Sequence, residues 1–213
     1  MSHRKRGKVT KPADPLQTAS IFQVLGELSV HEWEVLLIGD GSGSGWDRAC
    51  GWASILIERQ SARRKTFFGA MNLGTVNIGE VKPYVHALAW YSEGPGRERL
   101  HGLRSNGRLP RLPVHIITDS EIIANQGSGV ARRKANRPWW AALDELAAMG
   151  YDLNWHWMAR DRLGLNMLMD YLSRAARKAV ESVRLPAGVS EYDLNPGPYP
   201  WDEVAELAPD TSM

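Results

Sequence analysis

Two aspartates stand where an apolar segment ends. Asp40 closes Trp33-Glu34-Val35-Leu36-Leu37-Ile38-Gly39-Asp40, and Asp119 closes Val114-His115-Ile116-Ile117-Thr118-Asp119. A carboxylate avoids an apolar interior unless it is paired or bound to metal. If the two segments are neighbouring strands, both acids meet at one edge of a sheet. Glu80 begins a helical segment and Asp170 lies within the last one, so both can complete the cluster. Four carboxylates in one place repel strongly unless a divalent cation neutralises them, and hard oxygen donors select Mg²⁺ or Mn²⁺ over zinc. Each acid also has a plainer role open to it. An aspartate after a strand commonly forms a turn, and a glutamate near a helix start commonly complements the helix dipole. Together the four add an order: strand-Asp, helix-Glu, strand-Asp, helix-Asp.

Other chemistries find less support. Cys50 is the single cysteine, which excludes an internal disulfide and a multi-cysteine zinc site. The six histidines are scattered without ligand spacing. The run Gly41 to Gly45 lacks the lysine of a phosphate-cradling loop, and its serines have no nearby His–Asp partner for nucleophilic catalysis. Of the nine tryptophans, Trp52, Trp90 and Trp157 sit in apolar segments and are expected in the core. Trp140, flanked by bases, is the best candidate for a surface stacking platform.

The acids need a scaffold, and the hydrophobic period supplies one. Leu16 to Leu28 repeats at near-helical spacing. Trp33–Asp40, Gly51–Ile57 and Lys65–Gly69 read as three strands joined by turns, hence an antiparallel meander. Asn77 to Tyr91 reads as a helix, with Pro83 tolerated only in a first turn. Residues 92–111 are loop-like, with Pro95, glycines and Arg97, Arg99, Arg104, Arg108 and Arg111. Val114–Asp119 is a strand, Arg137–Met149 a helix, Leu153–Met158 a strand and Asn166–Val183 a long helix. These elements imply an α/β sandwich around one mixed sheet.

Length and charge divide the rest. The chain has 213 residues, 43% hydrophobic and 23% charged, enough for one full domain with extensions. No window approaches the ~18 uninterrupted apolar residues of a membrane helix. The basic start has no apolar stretch behind it, so a secretory signal is not expected and a cytoplasmic, reducing setting is. Residues 1–12 carry a charge of +5 and residues 185–213 a charge of −6. The divisions expected are a basic arm with a short helix at 1–30, a catalytic domain at 31–184 and an acidic, proline-rich tail at 185–213. The arm suits a polyanion partner. The tail is either a solvated disordered end or a docking segment for a protein partner through Tyr199 and Trp201.

These motifs resemble the ribonuclease H type 1 family. Asp40-Gly41-Ser42 resembles its opening motif, Asn77-Ile78-Gly79-Glu80 its Asn-x-x-Glu helix start, and Thr118-Asp119-Ser120 its Thr-Asp-Ser motif. Trp155-His156-Trp157, then Asn166, Asp170, Leu172 and Ala175-Ala176, resembles its last strand and final helix. The resemblance spans about residues 33–180 and implies a ribonuclease H-like mixed five-stranded sheet, its first three strands antiparallel, flanked by helices. It implies a metal-dependent endonuclease cutting the RNA strand of RNA–DNA hybrids. Asp40, Glu80, Asp119 and Asp170 would bind two Mg²⁺ ions, with Mn²⁺ able to substitute. Gly41 and Ser42 would let backbone approach the RNA, where a 2′-hydroxyl marks it. Asn77, Asn166 and Trp140 would be further hybrid contacts.

The sequence also departs from the family. The loop Ala159–Leu165 lacks the mobile histidine that helps product leave, so Arg160 or Arg162 is expected to hold phosphate instead, or the loop is simply solvated. The basic protrusion shrinks to Arg132-Arg133-Lys134 and Arg137. The five arginines of 92–111 suggest that the phosphate-gripping surface has moved there. Val76 precedes Asn77 where the family commonly repeats Asn. The rival readings are another nuclease on the same scaffold, such as a junction resolvase or a 3′–5′ exonuclease, and a non-catalytic nucleic-acid-binding module. An exonuclease usually needs Asp-x-Glu on the first strand, and Ser42 occupies the Glu position.

Overall fold

The computed structural model describes residues 20–43, 48–105, 111–182 and 191–192. The basic arm lies outside them, as do Tyr199, Trp201 and most of the acidic tail. Three strands, β1 (Val35–Gly43), β2 (Arg48–Glu58) and β3 (Arg64–Gly74), form the expected antiparallel meander. β4 (Leu112–Thr118) runs parallel to β1, and β5 (Tyr151–Trp157) parallel to β4. A two-residue strand from the tail, β6 (Glu191–Tyr192), pairs with β3, so the sheet order is β5-β4-β1-β2-β3-β6. The tail, read from sequence as a solvated disordered end or a docking segment, supplies this short strand to the open edge of β3.

Both faces of the central strands are covered, which is why they read as unbroken apolar runs. Val35, Leu37, Val114 and Ile116 point to one face, beneath α2 (Val76–Glu93) and α5 (Arg137–Ala148). Leu36, Ile38, Ile55 and Ile117 point to the other, beneath α1 (Ile21–Glu27) and α6 (Gly164–Ser182). A capping box starts α1: the Ser20 hydroxyl accepts from the Gln23 N–H, and the Gln23 side chain accepts from the Ser20 N–H. No helix of the described residues is long and apolar enough to cross a membrane.

Two expectations fail here. Residues 95–105, expected as loop, form α3 (Pro95–Ser105). Proline suits a first helical position. Leu100 and Leu103 join the core, Arg99 pairs with Glu34 at 2.9 Å, and Arg104 donates to the Met149 carbonyl at 3.2 Å. Those anchors outweigh two helix-weakening glycines, because packing rather than propensity supplies most helix stability. Pro83, expected in a first turn, lies inside α2, which begins seven residues earlier. The proline lacks the N–H that would otherwise bond the Gly79 carbonyl.

That carbonyl lies where α2 crosses β1, and the crossing is very close. A Cβ on Gly41 would collide with the backbone of Gly79 and Glu80. On the other face, a Cβ on Gly51 would collide with the Ser173 carbonyl of α6 and crowd the Arg177 backbone. Two glycines thus set the height of the two helices that carry Glu80 and Asp170. The missing side chain of Gly41 thus serves the close packing of α2 on β1.

Gly51→Ala should push α6 off β2 and lower stability by about 1–3 kcal/mol, the usual range for overpacking. Gly26→Ala, in α1 with nothing within 4 Å of the added carbon, should be neutral or slightly stabilising. Urea denaturation of both variants checks this, and equal midpoints would contradict it.

Candidate active site

Register brings the two strand acids together. The parallel pairing of β1 with β4 ends at Ile38↔Ile117, and two residues beyond each lie Asp40 and Asp119. Tyr84, on α2 one turn after Glu80, locks this junction. Its hydroxyl donates to the Gly39 carbonyl at 2.7 Å and lies 3.4 Å from that of Ile117. Burial, against a bond with Thr118, raises the Tyr84 pKa well above the usual tyrosine value, so it remains a neutral donor.

The first acid is held tightly. Asp40 is 3% exposed; its Oδ1 accepts from the Gly41 N–H at 2.8 Å, and its Oδ2 is buried without a hydrogen-bond partner. Burial pushes its pKa from 3.8 up to about 8, with Asp119 adding to the rise and Arg160 and the Gly41 N–H opposing it. Glu80, in the second turn of α2, accepts from the Ser120 hydroxyl at 2.7 Å. Burial raises its pKa too, the Ser120 bond opposes, and the Asp119 charge adds to the rise.

The centre of the site is a side chain of the opposite charge. Arg160, on a single 3-10 turn (Arg160–Arg162) before α6, reaches three aspartates. Its Nε lies 2.5 Å from Asp119 Oδ2, its Nη1 2.9 Å from Asp170 Oδ1 and its Nη2 4.0 Å from Asp40 Oδ2. Asp170 has a second partner in Arg174, one turn on, also at 2.9 Å. So Asp40, Asp119 and Asp170 converge on one cation, and Glu80 is held beside them through Ser120.

The donor set suits a hard cation: four carboxylates, one with a buried oxygen that nothing hydrogen-bonds. Among the described residues, no three His, Cys, Asp or Glu side chains stand in the spacing of a ready-formed metal site. The Arg160 guanidinium lies between the three aspartates. Its nitrogens donate outward along separate edges, whereas oxygens around an octahedral Mg²⁺ lie only about 3 Å apart, as bonds of 2.0–2.1 Å require.

The remaining candidates fall in several places. Asn77 is exposed at the start of α2, one residue after Val76. The Ser42 hydroxyl accepts from Arg177 Nε of α6 at 2.9 Å. Asn166 is 2% exposed, and neither polar atom of its side chain has a hydrogen-bond partner. Arg162 is not brought to the carboxylates; it pairs with Glu27 of α1. Trp140 is no surface platform: it is 2% exposed, its ring 5.6 Å from that of Trp155, with the Arg133 guanidinium 4.4 Å away. The apolar face of α5 wins over the flanking bases. Trp157, expected in the core, is 51% exposed, and its indole N–H donates to the Asp119 carbonyl at 3.1 Å.

Nor does α3 bring its arginines to the acids. Arg99 engages Glu34 just before β1, whereas Asp40 lies beyond the middle of that strand, sixth of its nine residues. Of the short basic run, Arg133 is engaged within the fold through Gln126 and both oxygens of Asp144, while Arg132, Lys134 and Arg137 are exposed. Tyr84 and Arg174 were not singled out by sequence, and Trp157 was placed in the core instead of beside the acids. Their only traces were the spacing of Tyr84 from Glu80 and of Arg174 from Asp170, four residues in each case.

No family model matches the chain, and no curated protein matches it. Solved structures do. The N-terminal RNase H domain of a Mycobacterium tuberculosis protein, solved as a fusion with maltose-binding protein, is 18% identical with a TM-score of 0.56. That match covers 71% of this chain and 98% of the other. LC11-RNase H1 in complex with an RNA/DNA hybrid is 17% identical with a TM-score of 0.54, covering 69% and 99%. A second structure of LC11-RNase H1, isolated from compost, gives 16% and 0.53 over 70% and 99%. At these identities the likeness is one of fold, and it includes the mixed five-stranded sheet.

The raised pKa of Asp40 makes a prediction about stability. Its folded value lies above its unfolded one, so the fold favours the protonated acid. Stability is therefore lost as pH climbs from about 4 through about 8. Asp40→Asn removes that loss. In the presence of a chelator, the melting-temperature gain of the variant over wild type should be larger at pH 8 than at pH 5. The excess should be at least about 2–4 °C, the shift made by 1 kcal/mol in a domain of this size. A gain independent of pH would contradict it.

Proposed function

From the premise that the chain has the ribonuclease H fold, we propose that it is a metal-dependent endonuclease hydrolysing the RNA strand of RNA–DNA hybrids. The observation that carries this reading is the convergence of Asp40, Asp119 and Asp170, from three separate elements, on one cation at the edge of the sheet. Burying several carboxylates together is costly, and a purely structural role would be served better by apolar residues. In this reading Asp40, Glu80, Asp119 and Asp170 hold Mg²⁺, or Mn²⁺ in its place. When bound, the metal supplies a nucleophilic water of lowered pKa and stabilises the leaving 3′ oxygen.

The chain's own residues do the rest. The Gly41 N–H fixes the rotamer of Asp40, and Ser120 fixes that of Glu80. Thr118 accepts from the Ser120 N–H at 3.1 Å, and Trp157 holds the Asp119 backbone, so the turn after β4 keeps one shape. Arg174, exposed beside Asp170, supplies positive charge where an anionic backbone would arrive. The exposed face of Trp157 offers a stacking surface next to the acids, and Asn77 offers an exposed amide at the start of α2. A hybrid substrate is also in keeping with the RNA/DNA hybrid found in complex with LC11-RNase H1, whose fold this chain shares.

A cleavage panel tests the reading, with labelled RNA–DNA hybrid, duplex DNA, double-stranded RNA and a four-way junction, each with and without Mg²⁺ or Mn²⁺. Hybrid should be cut, in the RNA strand and only with metal. Asp40→Asn and Asp119→Asn should each lower that rate by more than about 100-fold, since loss of an outer-sphere partner alone costs ~10–100-fold, with circular dichroism unchanged. Preferential cutting of the junction, or tight hybrid binding without turnover, would overturn the assignment.

A further inference from the structure

We propose that Arg160 is a resident occupant of the acidic site, one that a divalent cation must displace in order to bind. The proposal rests on the reading that these carboxylates bind metal, and it concerns how that binding is controlled. The guanidinium spans Asp119, Asp170 and Asp40 through three different nitrogens. It therefore sits among the oxygens that a metal would need. The two arrangements exclude each other. A planar guanidinium spreads its acceptors around its rim, and a small dication draws them onto one point.

Charge sets the direction of the exchange. One guanidinium offsets a single unit of charge among carboxylates that together carry several, whereas each dication offsets two. Arg160 thus stabilises the cluster only in part, which allows it to be replaced. The local structure gives it a way out. Its side chain is 46% exposed, it lies on a short turn whose neighbours Ala159 and Asp161 are exposed, and no described residue outside the acid cluster bonds its side chain. Asp170 keeps Arg174 as a partner when Arg160 leaves, so that acid is not stranded.

The exchange links two events. While Arg160 is bound to the aspartates, its charge is spent within the protein. Once displaced, the guanidinium stands at the rim of the site and can meet a phosphate. The grip on an anionic substrate by this residue then follows metal loading instead of preceding it. A loop arginine that only contacts phosphate would leave metal affinity untouched, which separates the two roles.

The test measures metal binding directly, by titrating the full chain with Mn²⁺ and following free Mn²⁺ by electron paramagnetic resonance. Wild type, Arg160→Met and Arg160→Lys are compared, with no substrate present. If the state with Arg160 withdrawn is below about a tenth of the population, Arg160→Met should bind Mn²⁺ at least tenfold more tightly. Its melting temperature in chelator should fall, and the rise on adding Mn²⁺ should exceed that of wild type. Arg160→Lys should lie between. In wild type, the ¹⁵Nε–¹H resonance of Arg160 should shift on Mg²⁺ addition, a readout that does not depend on any variant folding. Equal Mn²⁺ affinity in wild type and Arg160→Met, or an Arg160 resonance unmoved at saturating Mg²⁺, would overturn the displacement while leaving the metal site standing. Absence of Mn²⁺ binding in all three proteins would overturn both.

Discussion

Like charges held together at the edge of the core are the constraint around which this molecule is organised. Asp40 is almost fully buried, Asp119 lies beside it, and Asp170 and Glu80 close in from helices on opposite faces of the sheet. Such a cluster is stable only with opposing charge, shared protons or both. Both occur here. Arg160 supplies the opposing charge, and the upward displacement of the Asp40 and Glu80 pKa values supplies the tendency to hold protons. A site tuned in this way is destabilising as a structural element, which is common where geometry is kept for chemistry.

Backbone contact, more than side-chain packing, holds the acids in place. The helix that carries Glu80 touches β1 at Gly41, and the helix that carries Asp170 touches β2 at Gly51. Neither helix can approach so closely over a residue with a Cβ. Tyr84 then ties the ends of β1 and β4 from below, so the two strand aspartates share a fixed separation. The same apolar runs that build the core bring the carboxylates to its edge, and core and site cannot be altered independently.

Around the acids the surface is unevenly equipped. Trp157, Arg174 and Asn77 lie close to them in the chain or in contact, whereas Arg99 and Arg104 of α3 are committed to Glu34 and the Met149 carbonyl at the other end of the sheet. The arginines that look most like a phosphate grip in composition are therefore partly used for folding. At that end a cavity of about 120 Å³ opens between Glu34, Glu58, Tyr91 and Arg99, lined in part by the Arg99–Glu34 ion pair.

The sequence by itself made five of the strands, their order along the chain and the four candidate acids legible. Apolar period marks strands and helices locally, and an acid at the end of an apolar run is conspicuous without coordinates. Three decisions belonged to the tertiary structure. Segment 95–105 became helical because distant partners, Glu34 and Met149 among them, anchor it. Trp140 turned inward and Trp157 outward because facing depends on which element covers each surface, and flanking charges do not report that. Arg160 came to lie among three aspartates, the nearest of them 10 residues away and the farthest 120, and His115 stacked on His156 across 41 positions. Spacing along a chain reveals partners within a turn or a hairpin; partners brought together by a crossover connection become visible only once the chain has closed on itself.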